Sequence, residues 1–188
     1  MTEWNALLRE QLEWHWTHQL RPRLEGLTDD EYFWEPVPGA WNVRPRGTST
    51  APMAAGGGDY TIDWAFPEPE PAPVTTIAWR LGHVVVGVLA ARNASHFGGP
   101  SASYETWEYA GTAKEALDQL ETQLASWSAG VADWGDDRLV EPIGPAEGAF
   151  AELPKAALVL HINREAIHHL SEVALLRDLY LHTSGRTL

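Results

Sequence analysis

The chain has 188 residues, enough for one domain, with 44% hydrophobic and 21% charged residues, the balance of an ordinary globular protein. Its 13 Lys and Arg stand against 26 Asp and Glu, a net charge of −13, which argues against nucleic-acid binding, because such surfaces cluster cations to displace phosphate counterions. With no cysteine, it can form no disulfide, thiolate metal site or cysteine nucleophile, so any thiol chemistry needs a thiol brought in from outside.

The N-terminal segment lacks the basic and apolar stretches of a secretion signal, and no apolar run is long enough to span a membrane. A cytoplasmic location is expected. A first helix is predicted over about 3–24, with Leu8, Leu12, Trp16 and Leu20 on one side and Gly26 as its stop. His15 and His18, flanked by tryptophans, suit a surface or interface role better than ligation. Thr28 and Glu31 have capping-box spacing, which opens a short turn of helix ending before Pro36. Residues 37–74 form a long connection rich in Pro, Gly, Ala and Thr, and loops of that length are functional covers or linkers. Its Trp41, Tyr60, Ile62, Trp64 and Phe66 can pack, so an ordered excursion over one end of a bundle is expected, with a short hairpin near 59–66.

A second helix, over about 75–96, has one apolar stripe in Ile77, Leu81, Val84, Val85 and Val88 and another through Trp79, His83, Val86 and Ala90. Apolar nearly all round, it should lie between partners. A third begins at Thr112 with a capping box to Glu115 and runs to about 132, with Leu117, Leu120, Leu124, Trp127 and Val131 inward. The fourth is predicted over 153–181, opening at Pro154. Of the tryptophans, Trp14, Trp79, Trp107 and Trp127 are expected in the bundle, whereas Trp41 and Trp64 either anchor the loop or line a ligand pocket.

The fourth helix carries the chemistry. At about 100° per residue, His161, His169 and Glu172 fall within about 40° of Glu165, with Leu158 and Leu176 on the same line. Residues four apart share a helix face, so Glu165 and His169 can hold one ion. The alternative is a solvated face with accidental histidines. A further ligand must come from elsewhere, and His83 is the best candidate, although alone it would read as a hydrogen-bonded core histidine. His168, about 60° from Glu165, is a substitute for His169 or a proton carrier beside it. Glu172 is either a partner that orients a ligating histidine or a surface charge. Arg44, Arg46 and Arg164 are candidates to hold an anionic substrate, the first two alternatively loop anchors.

Three motifs resemble the DinB-like metal-binding four-helix bundle superfamily, which includes mycothiol-dependent maleylpyruvate isomerases and bacillithiol S-transferases: Trp41-Asn-Val-Arg-Pro-Arg46, Trp79-Arg-Leu-Gly-His83, and Asn163 through Glu172 followed by Leu175-Leu-Arg-Asp-Leu179. The resemblance implies an all-α fold, a single domain over 1–188, with a long ordered loop between helices 1 and 2. It also implies a metal site of His83, Glu165 and His169, with Glu in the first position of the last helix as in isomerase-like members. Unlike the isomerases, no separate C-terminal domain is expected, so their substrate chemistry is not implied intact.

Two His and one carboxylate leave coordination positions open. The expected function is a transferase or isomerase that uses a divalent metal, zinc or nickel, and a low-molecular-weight thiol such as mycothiol against a small electrophile. His168 and Arg44 are its candidate catalytic residues, and Glu172, His161, Trp41 and Trp79 candidates to support the ligands or line the pocket. Below it stand a non-enzymatic metal-binding or ligand-sensing dimeric bundle and a ferrous oxygenase with a facial triad. A homodimer without nucleic-acid or membrane partners is expected.

Overall fold

The computed structural model describes residues 3–183. The first long helix joins α1 (Trp4–His15), a π-helical turn (Trp16–Leu20) and α2 (Arg21–Arg23). A single capped turn, α3 (Asp29–Tyr32), precedes the strands β1 (Val43–Pro45), β2 (Met53–Ala55) and β3 (Tyr60–Trp64). The second long helix joins α4 (Ile77–His83), a second π-helical turn (Val84–Ala90) and α5 (Ala91–Phe97), and α6 (Ala113–Trp134) and α7 (Lys155–Thr183) follow. α1 packs against both α6 and α7, and the second long helix packs against the same two, so four helices enclose one core. No helix among the described residues is long and apolar enough to cross a membrane.

Helical periodicity explains the packing. On α7, Leu158, Ile162, Ala166, Leu170 and Val173 recur every three or four residues and are all buried, which is the spacing of one helix face. They join Leu81, Val84, Leu120 and Val131 in a continuous core, each large aliphatic side chain contributing roughly 1.5–3 kcal/mol relative to exposure. The second long helix is buried on almost every side, as its double stripe predicts. Thr28 and Glu31 form the reciprocal capping box, with backbone N–H to side-chain distances of 3.2 and 2.9 Å. At Thr112 only half of the predicted box forms, because Glu115 turns to the Gly111 N–H at 3.1 Å.

Two packing expectations are corrected. Trp14 is 49% exposed, because it lies about 200° around the helix from Leu12 and so faces away from the core; it stacks on His18 instead. Phe66 is 86% exposed, beyond the end of β3.

The long connection is ordered and adds a small sheet to the helical bundle. β3 occupies the place of the expected hairpin, but its partners are β1 and β2, giving an antiparallel order β1-β3-β2 with Val43 opposite Ile62 and Met53 opposite Trp64. The loop closes on itself where the Trp41 N–H donates to the Val74 carbonyl at 2.8 Å and the Thr76 N–H to the Trp41 carbonyl at 2.9 Å. Its anchor is Asp63, 1% exposed. The Asp63 carboxylate accepts from the Asn42 N–H at 2.9 Å, Arg44 Nε at 2.9 Å and Ser49 Oγ at 2.6 Å. Removing one partner of a buried ion pair strands the other, so Asp63→Ala should cost about 3–5 kcal/mol in denaturant unfolding. A loss near zero would show that the loop does not depend on this anchor.

Candidate metal centre

The site is built where α4 meets α7. Thr76 starts α4: its Oγ1 accepts the Trp79 N–H at 3.2 Å and its hydroxyl donates to Asn42 Oδ1 at 2.8 Å, so the helix start is pinned to the loop. One turn later, the Trp79 ring stacks on His83 at 5.4 Å, and its Nε1–H donates to the Asp63 carbonyl at 2.9 Å. Trp41 lies 5.9 Å from Trp79 and 6.3 Å from Trp64, whose ring is 5.2 Å from Tyr104. Trp41 is therefore two ring contacts from His83, in a wall that the loop builds over one side of the imidazole.

Tyr104 completes the surroundings of His83. Its Oη sits 2.6 Å from His83 Nδ1, and a Cβ at Gly87 would overlap that hydroxyl. Gly87, four residues after His83 on the same helix face, is what lets the phenol in. Burial pushes the Tyr104 hydroxyl up to about 12, with Arg92 opposing, so it remains a phenol at neutral pH. Burial also pushes His83 down to about 4, helped by His169 and Arg80 and opposed by Glu165 and Glu172. A neutral imidazole is the form that ligates a metal.

On α7, His169 meets His83 edge to face with ring centroids 4.7 Å apart. His169 Nδ1 is 2.8 Å from Glu172 Oε2, and a carboxylate can only accept, so Nδ1 carries the proton. That tautomer leaves the lone pair on Nε2, which faces Glu165 Oε2 at 3.6 Å. Two acceptors face each other there, and a cation between them satisfies both. Ligand atoms about 2.1 Å from a tetrahedral zinc stand roughly 3.4 Å apart, close to that separation. Arg80 Nε pairs with Glu172 Oε2 at 3.1 Å, and its guanidinium lies 5.3 Å over the Trp79 ring. Burial lowers the Arg80 pKa, against the opposing pull of Glu172.

His83, Glu165 and His169 are thus neighbours, but the one group among the described residues whose ligand atoms all converge within 4.8 Å is His168, His169 and Glu172. Part of that convergence is the 2.8 Å contact of His169 with Glu172, a hydrogen-bond distance. His168 Nε2 stands 3.7 Å from Glu172 Oε1 on an exposed side chain. His161 lies 3.7 Å from Glu165 and 2.8 Å from Arg164 Nη2. Arg44 is committed to the loop, through Asp63 at 2.9 Å, Glu35 at 2.8 Å and the Ala40 carbonyl at 3.1 Å. Arg46 likewise donates to the Gly58 and Gly56 carbonyls at 2.8 Å. Both serve as anchors. Sequence reasoning missed Arg80 and Tyr104: Arg80 was findable three residues before His83 on the same face, whereas Tyr104 lies in a connection with no periodic signal.

A DinB superfamily model matches residues 55–173, which contain all of these candidate ligands. The chain belongs to the DinB superfamily. No curated protein and no solved structure matches it significantly. The candidate donor groups come from the second long helix and the last.

Two outcomes test the geometry. Gly87→Ala should displace Tyr104 and lower divalent-metal affinity by about 10–100-fold, the usual loss when a ligand's orienting partner is removed. Tyr104→Phe should do the same, and the double variant no more; additive losses would separate the two residues. In metal-stripped protein, the unfolded chain binds a proton at His83 between pH 6.5 and about 4 that the folded chain refuses. Stability should therefore fall as pH drops through that window. His83→Gln should flatten that part of the unfolding profile, and an unchanged slope would remove His83 as its source.

Proposed function

We propose that this DinB superfamily member is a metal-dependent transferase or isomerase that acts with a low-molecular-weight thiol on a small electrophile. The observation that carries the reading is the state of His169: its Nδ1 is engaged by Glu172, which leaves Nε2 for an ion beside the Glu165 carboxylate, and the His83 ring meets it edge to face at 4.7 Å. On this reading His83, Glu165 and His169 hold zinc or nickel and leave positions open. When bound, such an ion lowers the pKa of a thiol or water and polarises a carbonyl.

The chain's own residues do the rest. Trp41, Trp64 and Trp79 exclude water from one side of the site. Glu172 fixes the His169 tautomer, and Tyr104 holds the orientation of the His83 ring. His168, exposed beside Glu172, exchanges a proton with solvent, and Arg44 holds Asp63 and through it the aromatic wall. The thiol must come from a cosubstrate, because the chain has no cysteine.

Elemental analysis of protein purified without tag or chelator should find roughly one divalent ion per chain, lost in His83→Ala and His169→Ala and kept in His168→Ala. Loss with His168→Ala and retention with His83→Ala would move the site to the exposed group on α7. Metal-loaded protein incubated with mycothiol, bacillithiol or glutathione and a panel of electrophiles should form conjugate, abolished in Glu165→Gln. If no thiol reacts faster with the protein than without it, while metal and fold are intact, a binding or sensing module replaces the enzyme.

A further inference from the structure

The second long helix departs from regular α-helix at the turn Val84–Ala90, and the departure leaves a backbone group to satisfy. In an α-helix the Gly87 carbonyl would accept the Ala91 N–H, four residues on. Here that N–H donates to the Val86 carbonyl instead, five residues back, as π-helical pairing requires. A carbonyl that loses its helical donor turns to a side chain or to water. Arg92 is that side chain: its Nη1 donates to the Gly87 carbonyl.

The guanidinium is itself held in place. Arg92 Nη2 lies 3.3 Å from Glu147 Oε2, and Glu147 Oε1 lies 3.0 Å from His96 Nε2. The Glu147 side chain is only 10% exposed and that of His96 6%, so the carboxylate is removed from water and committed to these two partners. Burial pushes the Glu147 carboxyl up, but His96 and Arg92 together outweigh it and hold the group below its ordinary value. Glu147 comes from the connection between α6 and α7, in the short segment Pro145–Phe150, and Gly148 follows it with φ 53°, a left-handed conformation that favours glycine. The chain turns there and presents Glu147 to α5.

Gly87 is also where Tyr104 enters. A Cβ on Gly87 would overlap the phenol hydroxyl and stand 3.3 Å from His83 Nδ1, so the backbone at Gly87 and the contact of Tyr104 with His83 share one small space. Without the Arg92 donor, the Gly87 carbonyl would reclaim the Ala91 N–H, the turn would tighten toward α-helix, and the seat of the phenol would move. We infer that Arg92, set by Glu147, is a positioning residue of the candidate metal centre: it holds the π-helical turn open so that Tyr104 meets His83. Its effect on an ion rests on the reading of His83 as a ligand; its effect on the Tyr104 contact does not.

Two measurements keep these apart. In the metal-free full chain, the nuclear Overhauser contact between the Tyr104 ring and the Gly87 Hα protons should be lost in Arg92→Met, which keeps the length of the side chain but has no donor, and retained in Arg92→Lys. In zinc titration, Arg92→Met should weaken binding about tenfold, the lower end of the loss when an orienting partner is removed, and Arg92→Lys should recover most of it. In a Tyr104→Phe background Arg92→Met should cost nothing further, because residues that act through one contact are not additive, whereas general damage to the fold would weaken both backgrounds alike. Should Arg92→Met fail to fold, Glu147→Gln, which leaves the guanidinium without its countercharge, should weaken the contact and zinc binding in the same direction. An unchanged contact in whichever of the two variants folds, or an undiminished loss in the Tyr104→Phe background, would overturn the inference. A contact that depends on Arg92 in a chain that binds no zinc would sink the metal reading and support the hold of Arg92 on the turn.

Discussion

An imidazole taken out of water must find a partner for each ring nitrogen or forfeit the hydration it gave up. His83 sits at the last residue of α4, where the second long helix crosses α7, and most of this end of the molecule answers its demand. Its Nδ1 is met by Tyr104, which can come close only because position 87 has no side chain. Its flat face is met by Trp79. The ring also meets that of His169, edge to face with centroids 4.7 Å apart. The π-helical turn begins at the next residue, Val84, and contains Gly87, so the departure from regular helix falls where the phenol enters.

The loop follows from the same constraint one layer out. Stacking Trp79 on His83 leaves an indole to cover, and Trp41 and Trp64 cover it. A segment so rich in Gly and Pro has little helical or strand preference of its own and needs something stronger to hold it. Asp63 supplies this by drawing a backbone N–H, a guanidinium and a hydroxyl to one buried carboxylate, while its backbone carbonyl takes the Trp79 Nε1–H. One residue thus ties the sheet to the aromatic wall.

The sequence was most legible where the determining interactions are local. The four long helices, the Thr28 cap and the Glu165/His169 spacing depend on residues within a turn of one another, and the structure repeats their spans to within a few residues. Three-residue strands such as β1 and β2 are too short to show alternation, and their pairing with β3 is set by Asp63 and by loop closure at Trp41, contacts that no local pattern announces. Tyr104 and the Arg80–Glu172 pair were missed for the same reason: each is a meeting of distant segments. Trp14 was misplaced by composition, since a tryptophan in a helix suggests the core, whereas its angle from Leu12 puts it outside.

Charge balance bears on what the candidate site can hold. The chain is strongly acidic overall, yet the two carboxylates nearest His169 are each matched by a guanidinium, Glu172 by Arg80 at 3.1 Å and Glu165 by Arg164 at 3.5 Å. A site that holds an ion for structure gains by presenting uncompensated negative charge, as thiolate and carboxylate cages do. Here the protein's own charges cancel, so a divalent ion on His83, Glu165 and His169 would leave positive charge for incoming anions to neutralise. That balance depends on Arg80, the less exposed of the two arginines, as much as on the candidate ligands themselves.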